Sequence, residues 1–181
     1  MAKKKLTKKE ALKRAAKVKL LLTDVDGVLT DTGVFYSARG EEMKRFSIRD
    51  GMGIERLRSI AGVETGIITR EDNQIVASRA RKLHIQELHM GVMDKTITLE
   101  DILTRTKISA AEIAYMGDDT NDLGIMEKVG LSTCPKDATK FAKDAADYIV
   151  ESKGGYGALR DLCELIIEAK SNSVKKKKTG K

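Results

Sequence analysis

Leu20-Leu-Leu-Thr-Asp24-Val-Asp26-Gly-Val-Leu-Thr30 is the stretch that decides how this chain folds. Three leucines in a row, without polar alternation, suit a strand buried on both faces, the habit of parallel α/β sheets. Open sheets of that kind place their chemistry at the carboxyl ends of the strands, and Asp24 and Asp26 stand where this strand ends. On a regular strand the two would share a face, and carboxylates that close repel unless a cation or a proton separates them. Gly27 then frees the backbone to turn away. Taken alone, the pair also fits two solvated turn aspartates.

A second acidic strand end answers the first. Glu112-Ile-Ala-Tyr-Met116 is another short apolar run, followed at once by Gly117-Asp118-Asp119, with Asp122 three residues later. Three or four carboxylates meeting across neighbouring strands make a hard-oxygen site of the kind Mg²⁺ takes. Residues 118–122 also read as a loop with N-caps for the next helix. The coincidence of two acidic strand ends favours the metal site.

At 181 residues the chain suits one domain with a real core. No apolar run approaches the length of a membrane span, and the N-terminus has no signal-peptide apolar region. Cys134 and Cys163 fit neither a zinc motif nor a disulfide scaffold, and read as two buried thiols in a reducing cytoplasm. The net charge of +7 sits at the ends: residues 1–19 hold nine Lys/Arg against one Glu, and residues 171–181 hold five Lys. The middle is therefore acidic. With no aromatics among the basic residues, the ends read as solvated tails, and neither nucleic acid nor a membrane is expected as a partner. The expected organisation is a basic N-terminal extension (1–16), a single domain (17–170) and a Lys-rich flexible tail (171–181). A helix with a thin apolar stripe fits within the first segment.

Between the acidic ends, residues 33–47 read as a β-hairpin around a glycine-bearing turn. Asp50 is an N-cap candidate for a helix that ends near Gly62. Strands are predicted over 63–68, 86–90, 113–116, 130–134 and 148–150, and helices over 73–83, 94–104, 122–129, 138–146 and 158–169. Strand and helix alternate throughout, which argues a doubly wound, Rossmann-like parallel sheet. Thr69 closes one of these strands, and its hydroxyl can donate to a phosphate oxygen. Lys95 opens a helix, where an ammonium and free N–H groups both favour an anion. Asp24, Asp26, Thr69, Lys95, Asp118 and Asp119 thus form an ordered set.

That ordered set resembles the haloacid-dehalogenase-type phosphohydrolases, whose motifs are a D-x-D, a Thr or Ser, a Lys and an acidic G-D-D-x-x-D. More narrowly, D-V-D-G-V-L-T-D-T-G, F-S-I-R-D-G-M-G-I, I-I-T, G-D-D-T-N-D and G-G-Y-G-A-L-R-D-L-C resemble 3-deoxy-D-manno-octulosonate 8-phosphate phosphatases and their relatives acting on nine-carbon ulosonic acid 9-phosphates. The resemblance spans about Lys17 to Ala169. It implies a Mg²⁺-dependent phosphomonoesterase of lipopolysaccharide sugar biosynthesis. Asp24 would be the nucleophile that forms an aspartyl-phosphate, and Asp26 the general acid and base. Mg²⁺ would be held by Asp24, the Asp26 backbone carbonyl and Asp118. Asp119 would act through metal-bound water, and Asp122 would orient Lys95 or an outer water. Thr69 and Lys95 would neutralise the phosphoryl oxygens.

The same resemblance makes Arg79 a candidate for the substrate carboxylate, with Arg49 beside it. The chain departs from the pattern after Thr69, where Arg70 replaces the usual glycine and Glu71 follows. Glu71 with Lys82 would suit a nine-carbon acid. Asp26 and Thr69 are 43 residues apart, Thr69 and Lys95 26, and Lys95 and Asp118 23. These intervals leave no room for a separate cap domain. A neighbouring subunit is then the natural lid, and the resemblance implies a homotetramer, with the hairpin 33–47 and Gly154-Gly155-Tyr-Gly157 as candidate contacts. A phospho-receiver shares the acidic pocket, Thr and Lys but orders them differently. A non-catalytic assembly domain would not need every catalytic residue type. No G-x-G-x-x-G follows the first strand, which argues against a dinucleotide site.

Overall fold

The computed structural model describes the backbone of residues 3–179 and the side chains of residues 3–173. Six strands form one parallel sheet: β1 (Leu20–Thr23), β4 (Glu64–Ile68), β5 (Glu87–His89), β6 (Ile113–Met116), β7 (Leu131–Cys134) and β8 (Tyr148–Ile149). Their order across the sheet is β5-β4-β1-β6-β7-β8. The chain starts in the middle, runs out to one edge and returns to build the other side, so β1 marks the topological switch point. Every residue of β1 is buried. Leu21 packs into one core cluster while Leu20 and Leu22 pack into the other, on the opposite face of the sheet. This is why the leucine run shows no polar alternation.

Helices α2 (Ile48–Ala61), α3 (Gln74–Lys82) and α7 (Ala158–Thr179) supply Leu57, Val76 and Leu162 to the first face. Helices α4 (Lys95–Thr106), α5 (Leu123–Lys128) and α6 (Lys140–Ala145) supply Leu99, Met126 and Ala142 to the second. Strands β2 (Thr30–Ser37) and β3 (Gly40–Phe46) pair antiparallel as a separate hairpin just after the D-x-D turn. No cap domain is present among the described residues.

Most element ends shift by up to three residues from the sequence reading, and three differences go further. The basic N-terminal stretch is part of the domain. Its helix α1 (Lys8–Ala15) has a Thr7 capping box and buries Ala11 and Ala15 completely in the first core cluster. Backbone bonds from Lys3 and Leu6 to the Asp144 and Asp147 carbonyls fix the segment that leads into it. A thin alanine stripe suffices because small side chains let α1 lie close to α7. At the other end, α7 continues through Thr179 into the lysine run set aside as a flexible tail; residues 180–181 lie outside the described residues. Finally, Ser47 rather than Asp50 caps α2, accepting from the Arg49 and Asp50 N–H groups. Asp50 reaches across instead to the start of α7, accepting from Gly157 N at 3.2 Å and Arg160 N at 2.9 Å. Burial pushes its carboxyl up from the ordinary value.

Candidate active site

The carboxyl ends of β1, β4 and β6 bring Asp24, Thr69 and Asp118 together. Thr23 aligns with Ile67 on one side and Met116 on the other, so each functional residue sits one or two positions beyond a paired residue. The Asp24 N–H donates to the Met116 carbonyl at 3.0 Å, carrying the sheet register up to the site. Gly27 turns the chain away at φ +77°, and a Cβ there would lie 1.9 Å from Asp118 Oδ2. The Asp118 carboxylate therefore rests directly on the D-x-D turn, and only glycine permits the contact.

Lys95, the first residue of α4, sends its buried ammonium to Asp24 Oδ2 at 2.8 Å and to Asp122 Oδ1 at 2.7 Å. Asp122 is saturated: Oδ1 also accepts from the Tyr115 hydroxyl at 2.5 Å, and Oδ2 accepts from the backbone N–H of Asp118 at 2.8 Å and Asp119 at 3.3 Å. Burial and the Asp122 charge keep the Tyr115 phenol protonated and donating. Asp119 caps the following turn through Thr120 N. Asp122 thus orients Lys95 and the acidic loop rather than facing the cleft.

Asp24, Asp118 and Asp122 place carboxylate oxygens within 4.8 Å of one another. Asp118 has no hydrogen bond or ion pair to its carboxylate among the described residues. Burial and the carboxylates of Asp122 and Asp24 push it up to about 8. Burial and Asp122 raise Asp24 as well, against the pull of Lys95. Such an all-oxygen set, short of positive charge, fits a hard divalent cation. With Asp122 already satisfied, the side chains left to hold the ion are those of Asp24 and Asp118.

One residue that sequence reasoning missed completes the site. Lys44, on β3, is buried to 2% side-chain exposure and lies 2.9 and 2.8 Å from the two Asp26 carboxylate oxygens. It also pairs with Glu41 at 3.3 Å and approaches Glu71 at 3.9 Å. Although burial opposes its charge, Asp26 and Glu41 hold Lys44 above its ordinary value. Asp26 further accepts from the Thr30 hydroxyl at 3.0 Å. Within E-E-M-K-R, Lys44 looks like one more solvated hairpin charge, and no local signal marks it.

A cleft of about 380 Å³ opens above Asp24, Asp26 and Thr69, flanked by Arg70, Glu71 and Met93. The remaining candidates do not reach it. The Arg79 guanidinium donates to the Ser47 carbonyl at 2.8 Å and stacks over Phe46, tying α3 to α2. Lys82 is the last residue of α3, does not line the cleft and makes no ion pair with Glu71 among the described residues. Arg49 lines a separate groove with Ser47, Gly155 and Tyr156. The Gly154-Gly155 backbone, in the segment named as a candidate subunit contact, packs closely against its own chain, while Tyr156 beside it is exposed. Gly155 N donates to the Val28 carbonyl, and a Cβ on Gly154 would lie 1.9 Å from the Gly27 oxygen.

Residues 62–159 match the haloacid dehalogenase-like hydrolases. The chain belongs to that family. Within it, the chain is 38% identical to the 3-deoxy-D-manno-octulosonate 8-phosphate phosphatase of Escherichia coli K12, over 91% of each chain. It is similar to the crystal structure of the Yersinia pestis phosphatase of the same name, with a TM-score of 0.85 and 37% identity, covering 89% of this chain and 86% of that one. The Moraxella catarrhalis phosphatase, solved with magnesium, phosphate and the sugar acid, gives a TM-score of 0.86 at 32% identity, covering 95% and 98%. The D-x-D pair here stands at the end of β1, in the middle of the sheet.

Proposed function

We propose that this chain is a Mg²⁺-dependent phosphomonoesterase that hydrolyses 3-deoxy-D-manno-octulosonate 8-phosphate to the free sugar acid and phosphate. The observation that carries the reading is the convergence of Asp24, Lys95 and Asp118 at the switch point, with Asp26 beside them on the same turn. Its relatives' names supply the substrate.

Asp24 attacks phosphorus, and the bond from phosphorus to the sugar oxygen breaks as the aspartyl-phosphate forms. Asp26 gives its proton to the departing oxygen, then takes one from the water that hydrolyses the intermediate. Lys95 keeps Asp24 in line for attack and, with the Thr69 hydroxyl, balances charge on the phosphoryl oxygens. Asp24, Asp118 and the Asp26 carbonyl would hold Mg²⁺, which when bound screens the nucleophile from the phosphate charge. Asp119 would act through water on the ion.

The cleft is open and no cap domain covers it among the described residues. The reading therefore includes a homo-oligomer, a tetramer by resemblance, in which a neighbour closes the site. The hairpin tip supports this, with Phe35, Tyr36 and Met43 each more than half exposed. No described helix is long and apolar enough to cross a membrane, and the cytoplasm is the compartment proposed.

Glu71 at the cleft favours one second reading, a nine-carbon ulosonic acid 9-phosphate as substrate, since a carboxylate suits hydrogen bonding to a longer polyol. Measuring kcat/KM for both phosphates with Mg²⁺ decides between them. The eight-carbon ester is expected to be hydrolysed at least about 10-fold more efficiently. A preference for the nine-carbon ester would reverse the assignment.

A further inference from the structure

The bond from Lys44 to Asp26 does not stand alone. Glu41, earlier on β3, lies with Oε1 3.3 Å from the Lys44 ammonium, and its side chain is only 12% exposed. The same oxygen accepts from Asn73 Nδ2 at 3.0 Å. Asn73 is the N-cap of α3, its Oδ1 accepting from Ile75 N at 2.8 Å, and it closes the loop that begins at Thr69. Asp26, Lys44, Glu41 and Asn73 therefore form one polar chain. It runs from the turn after β1, across the hairpin, to the loop after β4.

The hairpin is shaped to make this contact. On a regular strand residues 41 and 44 point to opposite faces, because side chains alternate. Here Phe35 pairs with Met43 but Tyr36 pairs with Glu41, so Glu42 is an extra residue on β3. A bulge of this kind re-aims the side chain beside it, and this one brings Glu41 onto the face that carries Lys44. None of Lys44, Glu41 and Asn73 lines the cleft, so Glu41 reaches the chemistry only through Lys44 and Asp26.

A lysine ammonium is a compact charge with three donors on a flexible stem, and one partner does not fix it. Asp26 is also a partner that changes, since it gives up and regains a proton in each turnover. We propose that Glu41, braced by Asn73, is a positioning residue that holds Lys44 so that Asp26 stays aimed at the leaving oxygen. This assignment rests on the phosphatase reading above and deepens it.

The leaving group separates such a role from plain stability. A sugar alkoxide leaves only as a proton reaches it, whereas p-nitrophenolate is a weak base and departs without one. The experiment compares wild-type protein, Glu41→Gln and Asn73→Asp, with Mg²⁺, on 3-deoxy-D-manno-octulosonate 8-phosphate, a pentose 5-phosphate and p-nitrophenyl phosphate. Values of kcat/KM report events up to formation of the aspartyl-phosphate, so the later proton transfer from water does not enter. Glu41→Gln keeps an acceptor for Asn73 but removes the charge beside Lys44. Asn73→Asp keeps the cap on α3 but removes the donor to Glu41.

Glu41→Gln is expected to lower the ratio of sugar-ester to aryl-ester kcat/KM ~10–100-fold, and Asn73→Asp ~3–10-fold. A fall of less than about 3-fold in Glu41→Gln overturns the proposal, whether both esters are lost together or neither is. An unchanged ratio in Asn73→Asp strikes Asn73 from it. Wild-type protein that hydrolyses none of the three esters refutes the phosphatase reading itself. If it takes only the pentose and aryl esters, the sugar-acid reading falls, and Glu41 is judged on the pentose ester. Hydrolysis of the aryl ester alone refutes Asp26 as a working acid, and Glu41 with it.

Discussion

Lys44 Nζ sits 2.8 Å from Asp26 Oδ2, and this contact joins the hairpin to the group assigned as general acid and base. The hairpin is therefore part of the site within a single chain. Lys44→Met leaves Asp26 and Glu41 without their shared cation and frees Asp26 from one of its two anchors. We expect kcat on the sugar phosphate to fall ~10–100-fold, since a misplaced proton donor loses much of its contribution. Lys44→Arg is expected to recover part of the loss. Steady-state phosphate release checks this, and a wild-type kcat in Lys44→Met would remove Lys44 from the account.

Mg²⁺ binding is expected to stabilise the protein more as pH rises. Asp118 has a folded pKa of about 8 against an ordinary 3.8, and Asp24 shifts in the same direction. A carboxyl whose folded pKa is raised contributes stability that is complete below its unfolded value and lost as pH rises through its folded one. The metal-free protein thus loses stability from these groups between about pH 4 and pH 8, while the ion binds the carboxylate form. The gain in Tm on adding Mg²⁺ to EDTA-treated protein should grow across that window, reaching about 5–10 °C at saturating ion. Thermal melts at fixed Mg²⁺ concentration test this, and a gain independent of pH would contradict the raised carboxylates.

Gly154→Ala should damage both stability and activity. Its Cβ would meet the Gly27 carbonyl oxygen at 1.9 Å, a clash with backbone that no side-chain rotation relieves. Moving either loop displaces the turn that carries Asp26. A loss of about 2–3 kcal/mol in urea unfolding is expected, with reduced kcat. Wild-type stability would show that the two loops are less closely apposed than the structure has them.

Asp50→Ala separates folding from chemistry. Asp50 lies away from the cleft and satisfies two N–H groups at the start of α7. Their loss should cost about 1–3 kcal/mol, moderated by the expense of burying the carboxylate itself. Kinetic constants should stay close to wild type at a temperature where the variant is folded. A large fall in kcat without loss of stability would place Asp50 in the site.

The parts of the molecule visible in its sequence are those fixed by local chemistry. Buried strands announce themselves as unbroken apolar runs, and the strand ends carry Asp24, Thr69 and Asp118 in the residues that follow them at once. The alternation of strands and helices then places these ends side by side, because a parallel sheet leaves its carboxyl ends on one edge. Lys44 was hidden for the opposite reason. Its role depends on how a hairpin folds over a distant turn, and an alternating charged segment looks the same whether its lysine meets solvent or Asp26. Arg79 shows the converse: an arginine at a suggestive position that, within its own chain, donates to the Ser47 carbonyl and lies over Phe46 rather than lining the cleft. The N-terminal helix is faint in the sequence because small apolar residues signal weakly, although Ala11 and Ala15 are fully buried.

The central claim is that Asp24 is the nucleophile, and capturing its covalent adduct tests it most directly. Enzyme in excess over 3-deoxy-D-manno-octulosonate 8-phosphate, with Mg²⁺, is quenched in acid within the first turnover, and its peptides are weighed by mass spectrometry. The account predicts a phosphoryl adduct on the peptide containing Asp24, formed before phosphate appears in solution and absent from Asp24→Asn. Phosphate release with no adduct on that peptide, or undiminished turnover by Asp24→Asn, would contradict it.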